Sequence, residues 1–360
     1  KTYETSNVPC GQKIIKNKHM KKIILAGLVS FVLTSCFKEI DPVSIDFPVE
    51  ETFTVQNSIK TTQTYYKLYE KAGQEISTAS PSSWDLAFES AGDGSRVMLG
   101  WSTKSRAHKT GKYNISDVSP DEVNDYRSNS DQWVFDDPSY TNYLDSLSLT
   151  GWEDGEVYIQ ERGVEKDNYY LIQFVEKNAD TYTFNYAKAT DNQNVQTYTI
   201  SRSDGLNYVH FSFDDNAIVT VEPRRTEWDL LFTPYYGWWE TDDPGVFAPW
   251  GMSGILINYE SGVMVAQIFD ANIDFGDIDE SYIASSEFTD WKGVIGANWK
   301  LLGSATSTDM YTMDPNKKYL LKKYDAQTGV FKYFKLRIIG YKLDGEDHHP
   351  KVEFKFLADE

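Results

Sequence analysis

Apolar and polar positions alternate along much of the chain, and this alternation predicts β-strands. Residues 181–187 follow a strict period of two, and residues 168–175 form an apolar run just before the turn residues 178–180. Runs of this kind between turn residues are typical of antiparallel strands. In the same way, residues 208–213 and 217–221 predict a hairpin.

The C-terminal part shows the same pattern. Residues 318–324, 330–339 and 351–357 predict a three-stranded meander. No amphipathic pattern reaches three helical turns, although residues 119–143 can hold short ones. The predicted fold class is therefore all-β, with antiparallel sheets arranged as a sandwich or a distorted barrel.

The motif Trp-Asp-Leu-x-Phe occurs twice, at residues 84–88 and 228–232, and an apolar run follows each copy. Strand alternation places Trp, Leu and Phe on one face and Asp on the other, where its carboxylate can accept backbone hydrogen bonds. A catalytic Asp is the alternative. The two copies imply a duplicated β-unit, as two domains or as halves of one sheet system. The motif positions are Trp84, Asp85, Phe88, Trp228, Asp229 and Phe232.

A short segment near the start resembles a secretory signal peptide. A basic start at Met20 leads into an apolar run over residues 23–32 and a small-residue box that ends at Cys36. This layout predicts a bacterial lipoprotein lipidated at Cys36. The apolar run is too short to cross a bilayer core of about 30 Å. Residues 1–19 are interpreted as lying upstream of the true start.

These features predict four regions. Residues 1–35 are the leader with its signal peptide, and residues 36–58 are an acidic tether. Residues 59–200 are an N-terminal β extension, and residues 201–360 are a C-terminal β domain. The expected location is the outer membrane or cell surface, with the lipid as the only membrane anchor.

The charge and cysteine content exclude several function classes. The net charge is −19, and it becomes about −24 without residues 1–35, which carry six lysines and one glutamate. Nucleic acids and anionic lipid surfaces require basic patches, so neither is an expected partner. The two cysteines provide no zinc framework. There is no phosphate-binding loop or nucleophile elbow, so an enzyme is not expected.

The order of several short motifs resembles the HmuY family of Bacteroidetes lipoproteins. The resemblance covers residues 206–357, and the preceding part looks like the extension of longer members. It implies an all-β surface lipoprotein that binds haem and passes it to an outer-membrane transporter. The matching motifs lie at residues 208–213, 219–223, 228–235, 254–258, 295–300, 318–321, 333–338 and 350–354.

Haem sites of this type hold the iron between two axial His or Met side chains. Here the chain departs from the family pattern, because residues 300–304, where one ligand is expected, contain neither. By elimination, the expected pair combines Met252 or Met264 with Met310 or Met313, and His108 is the remaining candidate.

A second function stays open beside haem binding, namely a surface binding module for a glycan or a protein partner. The Gly- and Pro-rich segment 234–254 contains Trp238, Trp239 and Trp250. Flat indole rings suit stacking on a sugar or a porphyrin face, although they can also cap a sheet.

Overall fold

The computed structural model describes residues 51–128, 133–141, 147–163, 169–241, 243–302 and 311–360. The predicted lipidation site Cys36, the signal segment and Met310 lie outside these ranges. Antiparallel strands hold 48% of the described chain against 11% in helices, and no described sheet closes into a barrel, so the all-β prediction is confirmed in its sandwich form.

The described strands form four larger sheets and one small one. The first outer sheet has the order β11 (Gln196–Ser201), β10 (Thr181–Lys188), β9 (Tyr169–Lys177), β8 (Tyr158–Glu161), β6 (Arg106–Lys109) and β7 (Val134–Phe135). The first inner sheet has the order β13 (Ala217–Val219), β12 (Tyr208–Ser212), β4 (Leu86–Glu89) and β5 (Val97–Leu99).

The second inner sheet has the order β15 (Phe247–Ile257), β14 (Leu230–Glu240), β2 (Gln63–Tyr69) and β3 (Ala72–Ala79). The second outer sheet has the order β1 (Glu51–Thr54), β21 (Glu346–Asp359), β20 (Val330–Leu343), β19 (Lys318–Asp325) and β16 (Met264–Ile268). The small sheet pairs β17 (Lys300–Leu302) with β18 (Tyr311–Met313).

Each inner sheet packs its apolar residues against one outer sheet. The core of the first sandwich includes Phe88 and Phe184, and that of the second includes Phe232 and Phe334. A third apolar cluster, with Trp84 and Leu256 among its members, joins the remaining faces of the two inner sheets. The inner sheets are therefore buried on both faces.

Two short helices complete the described elements, α1 (Pro120–Ser128) and α2 (Ser281–Ser285). Helix α1 falls within the segment predicted to hold helical turns. Ser119 and Glu122 exchange side chain to backbone hydrogen bonds of 3.2 and 2.8 Å at its start, which is a capping box. Neither helix has the length and apolarity that a membrane span needs within the part of the chain described.

The two copies of the duplicated unit exchange their first hairpins. Strand β2 of the first copy pairs with β14 of the second, and β12 of the second pairs with β4 of the first. Both pairings cross residue 200, where the sequence predicted a domain boundary, and the described residues between 51 and 360 fall in one compact unit. The duplication is thus built as an intramolecular strand exchange.

Because of this exchange, equivalent residues of the two copies have equivalent cross-strand neighbours. Leu86 lies opposite Phe211 in one inner sheet, and Leu230 lies opposite Tyr66 in the other. Both motif tryptophans are buried, as predicted, with 1% of Trp84 and 4% of Trp228 exposed.

The predicted facing of these tryptophans is wrong. Trp84 and Trp228 point into the cluster between the inner sheets, whereas Phe88 and Phe232 point into the two sandwich cores. The physical reason is that a strand buried on both faces has no polar face to reveal its alternation.

Candidate functional site

The motif aspartates are structural anchors and hold their sheets together. The Asp85 carboxylate accepts two hydrogen bonds from Arg162, Nε at 2.8 Å and Nη2 at 2.9 Å, and one from the Phe213 backbone N–H at 2.8 Å. Arg162 and Asp85 are each 1% exposed. This buried bidentate pair links the first inner sheet to the end of β8 in the outer sheet.

Asp229 repeats the arrangement with a different cation. Its Oδ2 accepts the Leu68 backbone N–H at 2.8 Å and the Lys323 ammonium at 2.6 Å. Lys323 lies on β19, so this pair links the second inner sheet to its own outer sheet. Burial lowers the Lys323 pKa, and the nearby Asp229 opposes that shift. The backbone and cation contacts support the structural role over a catalytic one.

The described candidate haem ligands are spread over the fold. Met252, Met264, Met313 and His108 lie in four different sheets. Met252 packs on the cluster between the inner sheets, and Met313 packs on the core of the second sandwich. They therefore lie on opposite faces of the second inner sheet.

Met264 and His108 lie elsewhere again. Met264 shares its strand face with Ala266, which belongs to the cluster on the outer side of the second outer sheet. His108 packs against the rings of Tyr126 and Trp133, with centroid distances of 5.1 and 6.3 Å. The four described candidates therefore lie on four different sheets, and Met310 lies outside the described residues.

Strands β14 and β15 form a long hairpin, called here the aromatic hairpin, with apolar side chains exposed toward its tip. Each strand has eleven residues, and the register runs without a shift from Leu230–Ile257 to Glu240–Phe247. An exposed apolar group of this kind marks an interaction site in a soluble protein. Its members, with exposed fractions, are Trp238 (45%), Trp239 (51%), Val246 (52%), Phe247 (56%) and Trp250 (63%).

The register divides the three tryptophans between the two hairpin faces. Trp239 lies opposite Ala248, and Trp250 lies opposite Gly237, so both indoles are on one face as diagonal neighbours. The residues opposite these indoles are small, and both indoles are about half exposed or more. Trp238 is on the other face and packs against Phe135 at a centroid distance of 5.0 Å.

A buried carboxylate fixes the aromatic hairpin near its tip. Asp137, 7% exposed, accepts the Trp238 backbone N–H at 2.9 Å through Oδ2. Its Oδ1 accepts the Ser139 N–H at 2.8 Å and the Ser139 hydroxyl at 2.6 Å. The indole N–H of Trp291 donates to the Ser139 carbonyl at 3.1 Å. The hairpin is thus held by side chains that are themselves fixed.

Two glycines make this contact possible. A Cβ at Gly293 would lie 2.5 Å from Ser139 Cα, and a Cβ at Gly237 would lie 3.0 Å from Asp137 Oδ1. The same Gly237 Cβ would lie 2.5 Å from Met252 Cε. The loop that carries Asp137 can approach only because neither glycine has a side chain.

The aromatic hairpin is acidic as well as aromatic. Residues 230–257 contain Glu240, Asp242 and Asp243 and no Lys, Arg or His. Glu240 is exposed and accepts the Gly245 backbone N–H at 2.7 Å. Two cations from other elements lie against it, because Lys104 Nζ is 5.9 Å from the Tyr236 ring centroid and Lys300 Nζ donates to the Ser253 carbonyl.

A second polar centre lies between the inner sheets and is largely buried. Its cavity of about 20 Å³ is lined by His210, Glu222 and Lys292 among others. Burial raises the pKa of Glu222 to about 7 and lowers that of Lys292 to about 8. Burial also lowers the pKa of His210 to about 3, so this ring is neutral at physiological pH. The volume admits about one water molecule and no organic ligand.

Sequence reasoning found the exposed tryptophans. It missed Asp137, which holds the aromatic hairpin, and Arg162 and Lys323, which bind the motif aspartates. These three residues give no local signal, because each contacts a segment distant in sequence. Gly237 was the one available hint, since it interrupts an aromatic run.

Two open grooves, of about 210 and 470 Å³, are lined by none of the candidate ligands or tryptophans.

Comparison of the chain with protein-family models, with curated proteins and with solved structures finds no match.

Proposed function

We propose that the protein is a surface-displayed, lipid-anchored binding protein that captures its ligand on the aromatic hairpin and carries out no catalysis. The observation that supports this most strongly is the pair Trp239 and Trp250, both more than half exposed on a hairpin that Asp137 holds in place. Leaving such rings in water is unfavourable, so their exposure is best explained by a partner that covers them.

The anchoring part of the proposal rests on the segment that ends at Cys36. Replacing Cys36 by Ala abolishes palmitate labelling and releases the protein from the membrane fraction if the lipoprotein interpretation is correct. A Cys36→Ala variant that still labels and still sediments with membranes would contradict it.

Haem binding is the second candidate, and two observations favour it. The C-terminal motifs resemble the HmuY family, and the Met252 thioether lies beside Gly237, on the hairpin face that carries Trp250. A thioether can serve as an axial haem ligand. Haem titration of the wild type and Met252→Ala in both redox states tests this candidate, and the absence of any Soret shift would eliminate it.

The test of the binding site uses a double variant and two kinds of probe. Wild type, Trp239→Ala/Trp250→Ala and the control Tyr113→Ala are titrated with neutral polysaccharides and, separately, with haem. Tyr113 is 64% exposed and lies outside the hairpin. We expect one probe to bind the wild type and the control and to lose at least tenfold affinity for the double variant. Binding that is indifferent to the double variant would refute the hairpin as the site, as would no binding to either probe.

A further inference from the structure

The larger of the two open grooves, of about 470 Å³, follows the outer edge of strand β16 and shares no lining residue with the aromatic hairpin. We propose that this groove, called here the β16 groove, binds an extended peptide with basic side chains, which joins the second outer sheet as a further strand. The peptide site is separate from the site proposed above. The residues of the groove that the argument uses are Gln267, Phe269, Asp270, Tyr282, Ser285 and Glu287.

Strand β16 is the edge of its sheet, so one side of its backbone can accept a new strand. Val265 uses this side already: its N–H donates to the Thr289 carbonyl at 2.9 Å, and its C=O accepts the Thr289 N–H at 3.1 Å. Because this direction alternates along a strand, Gln267 and, one step past the strand, Phe269 direct their backbone groups to the same side. Within the described ranges no residue bonds to these groups, which are therefore available for β-strand addition.

The neighbouring segment starts to pair with this edge and then leaves it. The bridge between Val265 and Thr289 is antiparallel, and its continuation would place Glu287 opposite Gln267 and Ser285 opposite Phe269. Neither of these two described pairs is joined by a hydrogen bond, and all four residues line the β16 groove. The groove is thus an interrupted strand pairing, whose free backbone groups an extended peptide can bind.

Two aromatic rings beside the edge suit the side chains of a bound strand. Phe269 is 38% exposed, and its ring is fixed by Tyr319 at a centroid distance of 5.7 Å and by the Lys317 ammonium at 3.7 Å. Tyr282, on α2, lies in the opposite wall and packs on the cluster at the outer side of the second outer sheet. Apolar side chains of the peptide can therefore contact rings that are already held in place.

The charge around the groove favours basic side chains in the peptide. Residues 270–290 contain seven Asp and Glu residues and no Lys, Arg or His. Five cations from the neighbouring strands lie against this segment or against Phe269, so the carboxylates outnumber them: Lys317, Lys318, Lys322, Lys335 and Arg337. Within the part of the chain described, neither Asp270 nor Glu287 forms an ion pair. These two exposed carboxylates of the groove can therefore pair with Lys or Arg of the peptide.

The experiment titrates the full chain with three labelled peptides of equal length and follows binding by fluorescence polarisation. The first alternates Lys and Val, the second alternates Glu and Val, and the third is the first with every backbone nitrogen methylated. We expect the first to bind and the other two to bind at least tenfold more weakly. Absence of binding by the first peptide would refute the proposal. Equal binding of the Glu peptide would overturn its charge argument, and equal binding of the methylated peptide would overturn strand addition.

Variants of the protein locate the site. Gln267→Pro removes the outward N–H, which an edge strand tolerates, whereas Gln267→Thr keeps it. Both lose the side-chain hydrogen bond to the Val294 carbonyl, so they are a matched pair. Gln267→Pro should lower affinity for the Lys peptide at least tenfold, and Gln267→Thr should leave it within about threefold. Equal affinities of the two variants would refute backbone pairing.

A second variant decides the matter even if Gln267→Pro does not fold. Glu287→Lys changes an exposed side chain and should also lower affinity for the Lys peptide at least tenfold. An unchanged affinity would refute the role of the groove. Trp239→Ala/Trp250→Ala should bind the Lys peptide as the wild type does. A loss in that double variant would move the peptide to the aromatic hairpin and overturn the β16 groove as its site, while the proposed function would stand.

Discussion

Strands β4 and β5 form a hairpin of four and three residues, whereas the equivalent strands β14 and β15 have eleven residues each. The first strand pairs of the two hairpins, called here their roots, are equivalent. Leu86 pairs with Leu99 in the first root, and Leu230 pairs with Ile257 in the second. Each root is preceded by a buried Asp that reaches a cation on the facing sheet. Since the roots agree, the extra length of the second hairpin is the part available for function.

The largest expected effect is a loss of stability on removal of the buried Asp at either root. The loss should differ between the two roots, because the cation is an Arg in one and a Lys in the other. Asp85→Ala leaves Arg162 buried with its exposed partner Asp214, and loss of one partner of a buried pair costs about 3–5 kcal/mol. Asp229→Ala should cost less, because Lys323 can release its proton whereas a guanidinium cannot. Urea unfolding of both variants measures the difference. An equal or reversed order would break the comparison.

A matching loss is expected for the two motif tryptophans. Trp84→Ala and Trp228→Ala each remove a buried indole from the cluster between the inner sheets, at a cost of about 3–5 kcal/mol. Thermal unfolding of the two variants measures it. A variant that keeps its melting temperature but loses ligand binding would contradict the structural role.

A smaller effect on stability is expected at His210, where the two copies of the duplicated unit carry different residues. His210 and Tyr65 occupy equivalent places, opposite Ala87 and Leu231. Since burial lowers the His210 pKa to about 3, protonation favours the unfolded state. The stability from neutral His210 is complete above pH 6.5 and is lost progressively as the pH falls toward 3, by about 2 kcal/mol at pH 5. His210→Phe should remove this part of the acid sensitivity in unfolding curves at pH 7 and pH 5. An unchanged difference between the two pH values would contradict it.

The smallest expected effect on stability is at Gly237. A Cβ here meets the flexible end of Met252 and also, at 3.0 Å, the hydrogen-bonded Asp137 Oδ1 and Ser139 Oγ, so Gly237→Ala should cost about 1–2 kcal/mol. The methyl group would nevertheless enter the face shared by Trp239 and Trp250, and ligand affinity should fall by several-fold. Gly276→Ala is the control, because Gly276 is exposed, lies outside the hairpin, has open space around its Cβ and has no positive φ. A large loss of stability at Gly237 without a loss of affinity would contradict the separation of tip and root.

The strands could be predicted from sequence because the outer sheets keep a period of two. The run 181–187 appears as β10, and the C-terminal meander appears as β19, β20 and β21. The facing of Trp84 could not be predicted, because a strand buried on both faces lacks a polar marker. Pairing partners were equally hidden: the runs at β2 and β12 are so alike that either exchange satisfies the same pattern.

Only part of the candidate site could be predicted from the sequence. The exposed tryptophans could be suggested from their Gly- and Pro-rich setting. The anchor Asp137 lies about a hundred residues before the strand that it holds, and Asp85 lies 77 residues from Arg162. Contacts over such distances follow from sheet topology, which local patterns do not contain. The three described methionine candidates lie in three different sheets, whereas the pairs that include Met310 stay a prediction.

The separation of a structural root from a functional tip is the central claim, and one paired measurement tests it most directly. Melting temperature and affinity for the probe, polysaccharide or haem, that binds the wild type are measured for Trp228→Ala and for Trp239→Ala/Trp250→Ala. The account predicts that the root variant loses many degrees of melting temperature, whereas the tip variant keeps its melting temperature and loses at least tenfold affinity. A tip variant that melts early, or one that binds as the wild type does, would contradict it.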